Sequence, residues 1–189
     1  MALGRWTSVR RAARLVALGV AGASLMAGCS SKIDTAKLLN PDPPGKMYAE
    51  ADAYMSKGQW DNAAKKFEDL DRDHPYAPEA RRSMVMAGFA YYKAGKYQEA
   101  IEPLASSVSV RPNLWYVHAW LVAALALTDR DAEAQQALNV FKQVHHARAD
   151  LGWIAEYYQE EQYQNPTLQA ASAEVLKGLQ KAGLAGMLA

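Results

Sequence analysis

The sequence predicts an all-α protein, a superhelix of stacked helical hairpins, and three observations carry that expectation. Met47, Tyr54, Gly58, Trp60, Ala63, Phe67 and Pro75 have counterparts 37 residues further on in Met84, Tyr91, Gly95, Tyr97, Ala100, Leu104 and Pro112. An aromatic, a turn glycine, a small alanine and a closing proline in fixed order mark a repeat that buries its apolar face only against its neighbours. Apolar residues recur at helical spacing along the rest of the chain, and no alternating apolar/polar run of useful length interrupts them.

Half of the 189 residues are apolar, enough for one domain or a short repeat array once a leader is removed. The formal net charge of +1 hides an asymmetry, because Arg5, Arg10, Arg11 and Arg14 are four of the 21 bases and no acid precedes Asp34. From Cys29 onward, 17 bases face 20 acids, a balance of −3. Such a surface lacks the clustered bases that displace counterions from nucleic acid, so no nucleic-acid partner is expected. One cysteine excludes an intramolecular disulfide and any cysteine-pair metal site.

Residues 1–28 read as an export leader, with a basic region through Arg14 and an apolar run from Leu15 to Ala27. Those thirteen residues fall short of the ~20 that cross a bilayer core. The run is therefore the apolar segment of a signal peptide, which is removed on export. Residues 29–45 form a tether ending in NPDPPG, whose prolines lack backbone donors and bias their predecessors toward extended backbone. Stretched out, the segment Ser30 to Gly45 reaches at most ~55 Å.

In the first repeat, Met47, Glu50, Ala51 and Tyr54 share a helical stripe that ends at the turn Lys57-Gly58-Gln59. Ala63, Phe67 and Leu70 answer it from a helix over about Asp61 to Arg72, with Ala63 small enough for the helices to cross. In the second repeat, Pro78 opens a helix running to Ala94, with Ala87, Gly88 and Tyr91 on its packing face and Gly95 as its C-terminal glycine. Ala100 and Leu104 answer it, and Pro103 should bend rather than break their helix. After Pro112 the period tightens to 34, giving a third hairpin over Leu114 to Thr128 and Asp131 to His146 without the turn glycine or the closing proline. A fourth follows over Ala149 to Gln162 and Pro166 to Ala182, with Asn165 as N-cap and Gly183 as stop. Its last helix is expected to cap the array with Lys177 and Lys181 on a polar side. The array proper spans residues 46–146, about three repeats, and the fourth hairpin with its capping helix spans 147–189.

The end of the leader, LMAGC, resembles the bacterial lipobox, with Met26 in place of the commoner leucine. That resemblance implies a diacylglycerol group on the Cys29 thiol, cleavage before it, and acylation of the new amino terminus; no other cofactor is expected. Several acyl chains anchor a protein stably where one does not. Ser30 follows, not the aspartate of an inner-membrane retention signal, which favours the periplasmic face of the outer membrane.

The repeats over residues 44–146 resemble the tetratricopeptide repeat, which implies a right-handed superhelix. Within them, PDPPGKMYAEADAYMSKGQWDNAAKKFEDLDRDHPYAPEARRSMVMAGFAYYKAGKYQEAI is similar to the N-terminal repeats of BamD-type outer-membrane assembly lipoproteins. Tyr48, Gly58, Trp60, Phe67, Leu70, His74, Pro75, Tyr76, Ala90, Tyr91, Tyr92 and Lys93 carry the likeness, strong over residues 40–102 and weak after Pro112. It implies a periplasmic, lipid-anchored scaffold of the machinery that folds β-barrel proteins into the outer membrane. A BamA-type barrel-assembly subunit and unfolded outer-membrane proteins would be its partners, and it would have no small-molecule substrate. An adaptor for another envelope complex, such as a pilus secretin or a cell-wall enzyme, is the alternative, as is a generic repeat module for protein interaction.

Helix A of each repeat lines the concave face, so its non-core positions form a candidate protein-binding groove. They are Tyr48, Asp52 and Met55, then Arg82, Val85, Phe89, Tyr92 and Lys93, then Tyr116 and Ala119. Aromatic rings among Arg and Lys suit a peptide with an acidic side chain or a C-terminal carboxylate. The alternative for Phe89 and Tyr92 is packing against the next helix A. Trp115 and Trp120 are expected to pack in the third repeat. His145 and His146 are adjacent and point to different sides of a helix, so they do not form a chelating pair. No nucleophile is paired with a base and no glycine-rich phosphate loop follows a strand, so no enzymatic chemistry is expected.

Overall fold

Three glycine-like turns set the frame of the array. A computed structural model describes residues 41–146, 148–161 and 166–184; the leader, Cys29, most of the tether and the Asn165 cap lie outside the described residues. Among the described residues there are eight helices: α1 (Pro44–Ser56), α2 (Trp60–Asp73), α3 (Ala80–Lys93), α4 (Tyr97–Val110), α5 (Trp115–Leu127), α6 (Asp131–Val144), α7 (Leu151–Glu161) and α8 (Pro166–Lys181). Gly58 and Gly95 turn the first two hairpins at φ of +68° and +72°. At the same point of the third, Asp129 takes φ +60°, a left-handed conformation that a short polar side chain tolerates better than most.

Consecutive helices from α1 to α6 pack in antiparallel order, each hairpin on the next, which is the all-α tetratricopeptide-type architecture that the repeats predict. Ala63, Ala100 and Ala134 are fully enclosed where the helices cross, and Phe67, Leu104 and Leu138 fill the space beside them. Gly88 completes the second crossing: a Cβ there would lie 2.7 Å from the Leu104 side chain. Polar links reinforce the stacking of the first two repeats, with the Tyr91 hydroxyl donating to Glu68 at 2.8 Å and Lys96 donating to Asp61 at 2.5 Å.

Helix boundaries fall within a few residues of expectation, with instructive departures. The tether yields to α1 at Pro44, because a proline at the first helical position loses no bond that the helix would have made. Pro78 does not open α3; it sits in a turn, and the helix starts at Ala80. Helix α4 runs through Pro103 without interruption. Tyr54, expected on the packing stripe, is 36% exposed whereas its counterpart Tyr91 is 6% exposed. Tyr91 is covered by the preceding α2, and no described helix precedes α1.

The joints between repeats differ. At Pro112, the imidazoles of His118 and His145 both bond the proline carbonyl, at 3.0 and 2.9 Å, and His118 stacks on Phe141. The corresponding space at Pro75 is a cavity of about 150 Å³ lined by Asp71, Pro75, Arg81, Met84, Ser106 and Arg111, among others.

The fourth hairpin does not continue the stack. Helix α8 packs along α5, and α7 packs on α8 and against the start of α5, while neither makes more than marginal contact with α6. The outer face of α6 also differs from that of α4. Where α4 presents Ile101 and Val108 to the next repeat, α6 presents the exposed Gln135 and Lys142. No described helix is long and apolar enough to cross a membrane.

Candidate functional site

The inner face is built from one stripe of each A helix. On α3 the stripe runs Arg82, Val85, Phe89, Tyr92; on α5, 34 residues later, it runs Tyr116, Ala119, Ala123, Ala126; on α1 it includes Tyr48, Asp52 and Met55. Spacings of three and four keep each stripe on one side of its helix.

One end of the face forms a shallow cavity of about 180 Å³ lined by Tyr48, Arg82, Val85, Met86, Arg111, Leu114 and Tyr116. The Arg82 guanidinium lies 5.2 Å from the centre of the Tyr48 ring, and Tyr48 itself is braced edge-on by the buried Phe67 at 5.2 Å. Stacking of this kind holds a guanidinium in place while leaving its donors free to point outward. Two guanidinium groups and two phenols around one opening favour a ligand that brings a carboxylate together with apolar surface.

Beyond the cavity runs an aromatic ridge. Phe89 lies edge-on to Trp60 at 6.3 Å and against Trp120 at 4.9 Å, so it joins three hairpins; Tyr116 in turn meets Trp120 at 5.1 Å. The ammonium of Lys93 sits 5.4 Å from the Trp60 ring, and burial lowers its pKa. Each such ring contact contributes about 0.5–1.5 kcal/mol beyond burial. The ridge is therefore both packing and surface.

The structure brings Tyr48, Arg82, Val85 and Tyr116 together at the cavity and sets Phe89 and Lys93 on the ridge. It corrects three positions. Val85, Tyr92 and Ala119 are buried, at 7%, 3% and 0% exposure, with the Tyr92 ring edge-on to Tyr97 of α4 at 5.0 Å; Tyr92 and Ala119 offer no free surface, and Val85 shows only an edge in the cavity. Asp52 is exposed, and Met55 is half-buried against the core. Met86, Arg111, Leu114, Trp60 and Trp120 belong to the same face and were not among the expected lining residues. Met86 and Trp120 lie four residues after Arg82 and Tyr116, a spacing that would have found them. Arg111 lies in a loop, where no period points to it.

Trp115 packs as expected, enclosed by Trp153 and Tyr157 at 5.0 and 4.8 Å, and Trp120 donates its indole N–H to the Tyr158 hydroxyl at 3.1 Å. The inner face of α5 is thus occupied within the chain. A Cβ on Gly178 of α8 would lie 2.7 Å from the Ala123 Cα, Lys181 bonds the Ala126 carbonyl at 2.6 Å and pairs with Asp129, and Gln135 donates to the Ala182 carbonyl.

An all-helical array of stacked antiparallel hairpins with left-handed turns and small crossing residues defines a protein of the tetratricopeptide-repeat fold. Residues 41–173 match the YfiO outer membrane lipoprotein family, and the chain belongs to it. Among curated proteins it is similar to the outer membrane protein assembly factor BamD of Caulobacter vibrioides, 32% identical over 91 residues that cover 48% of this chain and 30% of that one. To the BamD of Xylella fastidiosa it is 31% identical over 150 residues, covering 69% of this chain and 50% of that one. The chain spans half or less of the length of these relatives. Among solved structures it resembles MamA MSR-1 C2, with a TM-score of 0.50, 19% identity and 75% of each chain covered. It also resembles a MamA RS-1 ArsTM double mutant, with a TM-score of 0.51, 13% identity and 76% and 79% covered. At those identities the structural likeness is one of fold alone.

Proposed function

We propose that the chain is a lipid-anchored, periplasm-facing, non-enzymatic scaffold of the outer-membrane β-barrel assembly machinery, which captures segments of client or partner proteins on the inner face of its first two repeats. Membership of the outer membrane lipoprotein family and the assembly-factor names of its relatives support the setting. The observation that carries the binding role is the cavity where Arg82 and Arg111 converge with Tyr48 and Tyr116. A segment presenting a carboxylate would pair with the guanidinium groups and lay its apolar side chains along the ridge of Trp60, Phe89 and Trp120. Acylated Cys29 would hold the array at the membrane, and a BamA-type subunit and unfolded outer-membrane proteins would be the partners.

Arg82→Glu combined with Lys93→Glu reverses two charges on this face without touching the core. Co-isolation from detergent-solubilised envelopes should recover a BamA-type subunit or outer-membrane clients with the wild-type chain and lose them with the double variant. Unchanged capture by a variant that melts normally would overturn the assignment, and capture of a secretin or cell-wall hydrolase instead would move the protein to another assembly. For the anchor, Cys29→Ser should leave uncleaved precursor that takes up no palmitate analogue; labelling that survives the change would contradict it.

A further inference from the structure

The third repeat keeps the register of the binding stripe but empties it of bulk. Phe89 and Tyr92 of α3 correspond to Ala123 and Ala126 of α5, and into the space this leaves α8 lays its own helix, parallel to α5. Its seat has three parts. Gly178 meets Ala123 so closely that a side chain there would strike backbone, Val175 and Leu179 are buried on either side, and Lys181 reaches the Ala126 carbonyl and Asp129 at the turn.

Two features set this helix apart from a structural one. Its polar anchor is exposed, with the Asp129 side chain 87% accessible, and exposed pairs hold little. Nor does α8 pack along α6, so the α7–α8 hairpin rests on the stack from α1 to α6 through α5 and adds no layer to it. Beside the seat, the Tyr92 hydroxyl is buried without a hydrogen-bond partner, next to Tyr97, Tyr158 and Glu174.

We infer that the inner face of α5 is a helix-binding surface that α8 occupies in cis, and that its partner in trans is an amphipathic helix built like α8. That partner carries a glycine or alanine at the crossing with Ala123, branched aliphatic residues one turn to the amino-terminal side and next to the crossing, and a lysine or arginine three residues beyond it to meet Asp129. Its binding displaces α8 and extends the occupied face from the first two repeats onto the third. The inference rests on the proposed role of this face in protein capture, and adds a built-in competitor to it.

The probe is a fluorescein-labelled peptide of residues 166–184, titrated against the full chain by anisotropy. Lys181→Glu removes the anchor of the cis helix, and Gly178→Leu unseats it against Ala123. Lys181→Glu should bind the probe about threefold, and Gly178→Leu about tenfold, more tightly than the wild-type chain. Adding Ala123→Leu and Ala126→Leu, which fill the seat, should abolish that binding. Amide exchange over α1 to α6 establishes that the repeats, α5 included, stay folded in each variant. The inference is overturned if either folded variant binds no better than wild type, or if binding survives the filled seat. Should Gly178→Leu fail to fold, the Lys181→Glu result decides. Probe binding without capture of envelope proteins would keep this inference and remove the role in assembly.

Discussion

At the residue scale, two buried polar groups make opposite demands. Tyr92 spends a hydroxyl in the interior for no bond, so Tyr92→Phe should leave the fold intact and raise stability by up to about 1 kcal/mol in chemical denaturation. Its neighbour Tyr91, one residue earlier, bonds Glu68, and Tyr91→Phe should cost about 1 kcal/mol in the same measurement. His118 is 2% exposed, and burial holds its pKa below the ordinary value of 6.5, helped by the nearby His145 and opposed by the bond to Pro112. The folded chain therefore resists protonation that the unfolded chain accepts. The contribution is complete above the unfolded value and is lost as pH falls below it, so the melting midpoint should drop between pH 7.5 and pH 5. His118→Phe should flatten that slope; an unchanged slope would remove His118 as its cause.

At the element scale, two glycines inside helices test whether close approach or mere tolerance explains them. Gly88 lies against Leu104, and Gly88→Ala should cost about 1–3 kcal/mol, read from urea unfolding. Gly45 in α1 has nothing within 4 Å of a built Cβ, and Gly45→Ala should instead stabilise by about 0.5–1 kcal/mol. Helices α1 to α6 were legible in the sequence because each carries the same demand: a small residue at the crossing, a large one beside it and a left-handed turn. Asp129 shows why the third turn could be placed without its glycine, since the spacing of Leu125, Ala134 and Leu138 survived the substitution. The seat of α8 was not legible. Its apolar residues announce a buried face but not which helix buries it, and the deciding fact is the absence of bulk at Ala123 and Ala126, which reads in sequence as ordinary helix. Half of the inner face was likewise readable: Arg82, Phe89, Lys93 and Tyr116 follow from the helical period, whereas Tyr92 was lost to burial and Arg111 lies where no period operates.

At the scale of the whole molecule, the outer face of α6 differs from that of α4 at two stacking positions. Gln135→Ile together with Lys142→Val would restore the pattern of Ile101 and Val108 and re-create a stacking face. The double variant should self-associate end to end, detected as a rise in mass by light scattering, because a patch made to receive an A helix finds none in its own chain. A monomer at all concentrations would mean that the polar face does not terminate the array. The two joints then decide how such a molecule deforms. Pro112 is clamped by a pair of imidazoles on one carbonyl, while at Pro75 the same place is hollow. A superhelix behaves as a spring, and a spring yields at its softest coil. When a ligand draws the ends of the inner face together, the bending should concentrate at Pro75, within the pair of repeats that holds the cavity. Met84→Trp, which plugs the hollow, should narrow the distribution of distances between spin labels placed on α1 and α5. The chain would then carry its compliance where it grips and its rigidity where it is latched.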